Sequence, residues 1–103
     1  MTNEIAINYG GAQLRLEFTG NGTASLYINN IERETTSSEN AIGILKLNTT
    51  VQTEYEWHEF IEGIVEYKPE EIIASLWASK SILEQLVIKR RGGNEFKYRH
   101  SND

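Results

Sequence analysis

The chain has 103 residues, of which 39% are hydrophobic, with no cysteine and a formal net charge of −5 at pH 7. A chain of this length fits one compact unit with one core, so we expect residues 1–103 to form a single domain. The lack of cysteine excludes disulfide scaffolds, cysteine-based zinc sites and thiol nucleophiles, and the acidic balance argues against nucleic-acid binding.

No motif points to secretion, to a membrane or to a cofactor. Residues 1–4 lack the basic segment and apolar run of a signal peptide. The longest nearly apolar run, residues 72–78, is too short to cross a bilayer. We therefore expect a cytoplasmic protein that binds neither membrane nor cofactor, and its abundance of Ile, Glu and Asn is compatible with a bacterial or phage chain.

The first half of the chain predicts strands joined by tight turns. Apolar and polar residues alternate in the first three of four runs, which is the period of a strand with one buried face. The runs are residues 5–9, 14–18, 23–28 and 31–36, and the turns between them are Gly10-Gly11, Gly20-Asn21-Gly22 and Asn29-Asn30. Gly and Asn suit these turns because both tolerate positive φ.

A fifth apolar run covers residues 41–48. Large apolar residues fall on both of its faces, with Ile42 and Ile44 on one and Leu45 and Leu47 on the other. This pattern is typical of a central strand that is covered on both sides. The first half therefore predicts an antiparallel β-meander of about five strands over residues 4–48.

The next segment predicts a helix over about residues 54–67. Apolar residues from Trp57 to Val65 follow helical spacing, and Thr53 with Glu56 three residues later forms a capping box. Gly63 weakens this prediction, because glycine destabilises the interior of a helix. A strand over residues 51–58 is the competing interpretation, because two sets of residues alternate along it: Val51, Thr53, Tyr55 and Trp57 on one side and Gln52, Glu54, Glu56 and His58 on the other.

A second helix is predicted over about residues 70–91. Pro69 suits a helix start, Glu70 and Glu71 suit the positive end of the dipole, and residues 72–87 carry a wide apolar stripe. Gly92-Gly93 would end the helix. The alternative is a hairpin with strands over residues 86–90 and 95–100. The leading prediction is an α+β fold, with one or two helices packed on the meander.

Charge is distributed unevenly along the chain. Of fifteen acidic residues fourteen are Glu, and seven of these fall within residues 54–71. Residues 89–103, by contrast, carry five basic and two acidic side chains. Aromatic residues alternate with the clustered carboxylates, which is typical of a contact surface.

One group of side chains could hold a metal ion. On a helix, His58 and Glu62 lie four residues apart on one face and Glu59 lies beside them. The spacing resembles the helical element of zinc metalloproteases, but Glu62 stands where that family needs a second His. On a strand, Glu54, Glu56 and His58 would share a face instead. We favour the simpler interpretation, a solvated helix face with one exposed His.

The sequence favours a non-enzymatic protein-binding module, such as an inhibitor or immunity-type protein, and no catalytic residue is assigned. Its partner would be a protein with a basic surface, or a second copy in a homo-oligomer such as a homodimer. The predicted binding surface is Glu54, Tyr55, Glu56, Trp57, Glu59, Glu62 and Glu66. The alternative is a small ligand- or metal-binding domain, with hydrolytic activity, centred on His58, Glu59 and Glu62.

Overall fold

A computed structural model describes the backbone of residues 2–39, 41–52, 58–91 and 94–100, and the side chains of residues 2–39, 41–51 and 58–90. These residues form nine strands and no helix, so the α+β prediction is wrong. The strands are β1 (Thr2–Tyr9), β2 (Ala12–Thr19), β3 (Thr23–Ile28), β4 (Ile31–Ser37), β5 (Gly43–Gln52), β6 (His58–Tyr67), β7 (Glu71–Ala78), β8 (Ser81–Arg91) and β9 (Asn94–His100).

The strands form two antiparallel sheets, each a meander in which chain neighbours pair. The first sheet has the order β1-β2-β3-β4 and the second has the order β5-β6-β7-β8-β9. The inner faces of the two sheets pack against each other and share one hydrophobic core. No helix that is long and apolar enough to cross a membrane is found in the described part of the chain.

The first sheet follows the sequence closely. Leu14, Leu16 and Phe18 of β2 are almost completely buried, while the residues between them are more exposed. Asn29 and Asn30 have φ angles of 51° and 67°, which are the angles that a type I′ hairpin turn requires. The predicted strands over residues 5–36 are therefore present, with turns at the predicted places.

The predicted fifth strand is present, but it belongs to the second sheet. Ala41 and Gly43 both have positive φ angles, and the chain changes direction here before β5 begins. β5 pairs with β6 over its whole length. The five-stranded meander over residues 4–48 is therefore corrected to a four-stranded sheet followed by the first strand of another.

The helix predicted over residues 54–67 is contradicted where the structure describes it. Residues 58–67 form β6, in which Ile61, Gly63, Val65 and Tyr67 face the core. Phe60 and Ile64 lie on the other face, so a strand with apolar residues on both faces imitates helical spacing. The proposed capping box at Thr53 and Glu56 lies outside the described residues.

The helix predicted over residues 70–91 is also wrong. Its apolar stripe is divided between the strands β7 and β8, which are joined by a turn at Ser79 and Lys80. Ile72 and Leu76 of β7 face the core, whereas Ile73 and Trp77 face outward. The hairpin alternative is the better one, since β8 pairs antiparallel with β9.

Polar contacts join the two sheets at their margins. The Tyr67 hydroxyl of β6 donates to the Thr19 carbonyl of β2 at 2.7 Å. At the β4–β5 margin, the Arg33 side chain donates to the backbone carbonyl of Thr50 at 3.2 Å. The backbone N–H of Asn48 donates to a Glu34 carboxylate oxygen at 2.7 Å. Side chains of β4 thus take up backbone groups of β5.

We predict that Gly22→Ala destabilises the protein much more than Gly43→Ala does. Both glycines have positive φ, at 97° and 103°, so an alanine is strained at either position. At Gly22 the added Cβ would also lie 2.5 Å from the Ser38 carbonyl oxygen, whereas at Gly43 it would meet no atom within 4 Å. We expect a loss of roughly 2–4 kcal/mol at Gly22 and about 1 kcal/mol at Gly43. Urea unfolding measures both, and equal losses would contradict the close approach.

The buried hydroxyl of Tyr67 predicts a pH-dependent stability difference. Burial raises the pKa of Tyr67 to about 12 from an ordinary value of 10.0, and the charge of Arg90 opposes part of this rise. Its contribution to stability is therefore complete below pH 10 and is lost as the pH rises towards 12.

Tyr67→Phe should accordingly be about 1 kcal/mol less stable at neutral pH, because it loses the bond to Thr19. That deficit should shrink as the pH rises from about 10 to about 12. In this range the unfolded wild type ionises Tyr67 while the folded wild type does not, which lowers its stability, whereas the phenylalanine variant has no group to ionise at this position. Urea unfolding of both proteins at a series of pH values tests this. A deficit that stays constant across the window would show that Tyr67 titrates normally.

Candidate functional site

The outward faces of the two sheets differ in character. The outward face of the first sheet is polar, and some of its side chains contact each other. The Arg15 guanidinium carbon lies 4.2 Å from the centre of the Tyr27 ring, and a guanidinium nitrogen lies 3.4 Å from a Glu17 carboxylate oxygen. The second sheet carries what we call the outer apolar face. Its residues are Ile44, Phe60, Ile64, Ile73, Trp77, Ile82 and Val87.

The most open residues of this region are on β6 and at the start of β5. The side chain of Phe60 is 71% exposed, that of Ile44 is 55% exposed, and neighbouring Ile42 is 63% exposed. Phe60 pairs with Thr50 and Ile44 pairs with Glu66, so these two exposed side chains lie towards opposite ends of the β5–β6 pair, with the less exposed Ile64 between them. Isolated exposed apolar residues are common on proteins, but several on one sheet face mark a surface that another molecule can cover. The outer apolar face is therefore the candidate site.

Two carboxylates of β6 lie within this face. Glu62 and Glu66 alternate along the strand with Phe60 and Ile64, so all four side chains point to the same side. Neither carboxylate forms an ion pair with another residue that the structure describes. Glu71 differs, because its oxygen accepts from Lys89 at 2.5 Å, and this bond holds the pKa of Glu71 below its usual range.

The face contains a shallow pocket of about 350 Å³. Its centre is a row across three strands, in which Asn48 pairs with Glu62 and Glu62 pairs with Trp77. Paired strands lie about 4.8 Å apart, so these side chains are immediate neighbours. The lining residues are Asn48, Phe60, Glu62, Trp77, Ser79 and Lys80.

Two donors at this pocket are already used within the protein. The indole nitrogen of Trp77 donates to the Ser75 hydroxyl at 2.8 Å, and the Ser79 hydroxyl donates to Glu59 at 3.2 Å. The indole ring, the Phe60 ring and the oxygen atoms of Glu62 and Asn48 remain for a ligand. Apart from Lys80 and the NH2 group of Asn48, the pocket therefore offers hydrogen-bond acceptors and aromatic surface.

The turn beside the pocket is strained. Ser79 and Lys80 have φ angles of 47° and 72°, and neither is a residue that favours the left-handed region. Each such residue costs roughly 1–2 kcal/mol relative to an ordinary conformation. Because neither residue is Gly or Asn, no turn is predicted here from the residue pattern.

Glu59 lies on the opposite side of β6 from Glu62 and has a structural role. One of its carboxylate oxygens accepts from the Tyr9 hydroxyl at 2.6 Å and from the Ser79 hydroxyl at 3.2 Å. These bonds join β1 and the β7–β8 turn to β6. The bond to Glu59, together with desolvation and the carboxylate charge, raises the pKa of Tyr9.

The predicted site residues are only partly brought together. Glu62 and Glu66 share the outer apolar face, whereas Glu59 does not. Glu54, Tyr55, Glu56 and Trp57 lie outside the described residues.

The metal-site prediction gains no support from this arrangement. His58 and Glu62 share a strand face but are separated by roughly 13 Å of extended chain, and Glu59 faces the other way. Among the described residues no three His, Asp or Glu side chains are placed to hold a metal ion.

Sequence reasoning missed several residues of the pocket. Trp77 belongs to the apolar stripe of the helix predicted over residues 70–91, and the sequence pattern assigns no function to Asn48, Ser79 or Lys80. The sequence does contain one usable clue. Ile44, Phe60 and Ile64 are large apolar residues at positions that alternate with the core-facing residues of their strands, so a strand interpretation would place them on the outward face. Comparison of the chain with protein-family models, curated proteins and solved structures finds no match.

We predict that Glu59→Gln lowers the pKa of Tyr9 towards its ordinary value. The substitution removes the carboxylate charge and weakens the hydrogen bond, which together hold the Tyr9 proton. Loss of this charged bond should cost about 1 kcal/mol near neutral pH, where Tyr9 is fully protonated in both states.

Tyrosine ring signals in NMR spectra recorded across an alkaline pH series report the Tyr9 titration directly. Glu62→Gln is the matched control, because it removes the same charge from the other face of the same strand. The control should leave the Tyr9 titration unchanged. An unchanged Tyr9 titration in Glu59→Gln would contradict the described bond.

Proposed function

We propose that this chain is a non-enzymatic, cytoplasmic protein-binding module that holds a basic partner protein against the outer apolar face of its second sheet. The observation that carries this proposal is the combination, on one sheet face, of exposed apolar side chains with the carboxylates of Glu62 and Glu66. The first sheet offers no comparable surface, since its outward residues are mostly polar.

The apolar component would supply most of the binding energy. Phe60 and Ile44 are more than half exposed, and covering apolar surface contributes about 25 cal/mol for each Å² removed from water. Aromatic side chains near the centre of an interface commonly dominate its energetics. Phe60 and Trp77, which line the same pocket, fit that role.

The acidic component would select the partner. The whole chain carries a net charge of −5, and Glu54 and Glu56 precede β6 in the sequence. An acidic face speeds encounter with a basic surface and disfavours acidic competitors. A partner whose basic surface ordinarily binds nucleic acid would be blocked in this way, as in an inhibitor or immunity-type protein.

A basic partner fits this face better than a second copy of the chain does. If two copies paired through their outer apolar faces with the two-fold axis at β6, Glu62 and Glu66 of each would approach those of the other, with Lys46 of β5 as the basic residue beside them. Like charges brought together at an interface oppose association. The homo-oligomer therefore ranks below the basic partner.

We predict that Glu62→Lys combined with Glu66→Lys weakens the complex at least about tenfold more than a control with the same change in net charge. The control is Glu4→Lys combined with Glu32→Lys, since both residues are exposed strand residues of the first sheet. The partner is first identified by cross-linking in the host cell. The affinity of the purified pair is then measured for each variant at low and at physiological salt.

The affinity of the wild type should fall steeply with salt, and that of the β6 double variant should depend on salt much less. A salt-insensitive complex, or equal losses in the two double variants, would overturn the proposal. If the purified chain alone forms a concentration-dependent dimer and has no partner, the homo-oligomer is the correct alternative. Circular dichroism confirms that each variant is folded before its affinity is compared.

A further inference from the structure

We propose that the pocket on the outer apolar face binds an arginine side chain. This inference rests on the proposed function, and it names the group of the basic partner that the face recognises. Phe60, Trp77 and Glu62 all line this pocket.

The hydrogen-bonding state of the pocket selects a donor. Trp77 and Ser79 have already given their protons to Ser75 and Glu59. Glu62 presents carboxylate acceptors, and its cross-strand neighbour Asn48 adds a side-chain amide with one acceptor oxygen and an NH2 donor group. A ligand rich in N–H groups can satisfy these acceptors, whereas a carboxylate or phosphate would face the charge of Glu62.

The aromatic rings favour a flat cation. Phe60 is 71% exposed, and Trp77 presents its ring while its N–H is bonded internally. A guanidinium group can stack on an aromatic ring and donate two parallel hydrogen bonds to one carboxylate. An ammonium group lacks this planar fork, so arginine fits the pocket better than lysine.

The size of the pocket also suits one long side chain. Its volume of about 350 Å³ is near the lower end of the range of ligand pockets, roughly 300–1,000 Å³. The pocket is shallow and opens on the sheet face, so a side chain can enter it from a partner that lies across the strands.

Lys80 is a positively charged residue in the lining of the same pocket. It is the basic residue among the described lining residues, and it follows Ser79 in the strained turn. Its charge opposes the entry of a cation. Replacing it with Asn, which tolerates positive φ, should therefore strengthen arginine binding while keeping the turn.

The probe is a blocked tripeptide with arginine between two glycines, titrated into the full isotope-labelled chain and followed by NMR. The signals of Phe60, Glu62 and the Trp77 indole N–H should shift. The same peptide with citrulline, which has the shape of arginine without its charge, should bind at least about tenfold more weakly. The lysine peptide should lie between them.

Three variants test the assignment to the pocket. Glu62→Gln should weaken arginine binding roughly tenfold, and Lys80→Asn should strengthen it a few-fold. Glu66→Gln is the matched control, because it removes a carboxylate from the same strand face but not from the pocket lining, and it should change binding less than twofold. Unchanged spectra away from the substituted residues show that each variant is folded.

The result separates this inference from the proposed function. Absence of shifts at the pocket, equal binding of the citrulline peptide, or equal effects of Glu62→Gln and Glu66→Gln would overturn the arginine assignment. If the combined Glu62→Lys and Glu66→Lys substitutions nevertheless weaken the partner complex, the outer apolar face remains the proposed binding surface and only the arginine assignment is wrong. If the arginine peptide binds as expected but the face variants leave the complex unchanged, the pocket stands and the partner contacts another surface.

Discussion

Leu16 of β2 lies directly against Gly63 of β6, where the inner faces of the two sheets meet. A Cβ placed on Gly63 would lie 2.9 Å from a terminal carbon of Leu16, and Leu16 has no exposed surface. This contact requires that Gly63 face the core. Because strand side chains alternate, the neighbours of Gly63 then face outward, and a slip of one residue would reverse the two sides of β6. The site on the outer apolar face is thus a consequence of how the core is packed.

The second sheet uses two surfaces of one layer for different purposes. Inward residues such as Ile61, Val65 and Ile72 are fully buried and supply the core. Outward residues of the same strands carry the pocket and the carboxylates. In the first sheet only the inner face is apolar, since buried Leu14 and Leu16 alternate with outward polar residues. It therefore serves as the layer against which the inner face of the second sheet packs.

The same division explains how much could be predicted from the sequence. The first four strands were predictable because turns rich in Gly and Asn interrupt a simple two-residue period. The strands β6 and β7 and the first part of β8 were not, because apolar residues on both faces combine into a spacing that resembles a helix, whereas Gly92-Gly93 did point to the β8–β9 hairpin as an alternative. The turn at Ser79 and Lys80 deepened this error, since a continuous apolar stripe without Gly or Asn gave no reason to divide it.

The candidate site shows a similar mixture. Glu62 and Glu66 were predicted from charge alone, and they do share a face. Grouping Glu59 with them depended on a helix, in which positions three and four residues apart are neighbours. In a strand Glu59 faces the opposite side, where it bonds Tyr9 and Ser79. The pocket required the register between β5, β6 and β7, which no single segment of sequence contains.

The side chains that cover the margin of β5 limit how this protein can associate. An approaching extended peptide would need the Asn48 amide and the Thr50 carbonyl to lengthen the sheet, but Glu34 and Arg33 already occupy them. Open strand margins are the usual template for fibre growth and for capture of linear peptides. With these two groups occupied, this part of the β5 margin is unsuited to adding a strand, which leaves the broad side of the sheet for the proposed partner. A folded partner with a protruding side chain is consequently a more natural counterpart than a disordered tail that adds a strand.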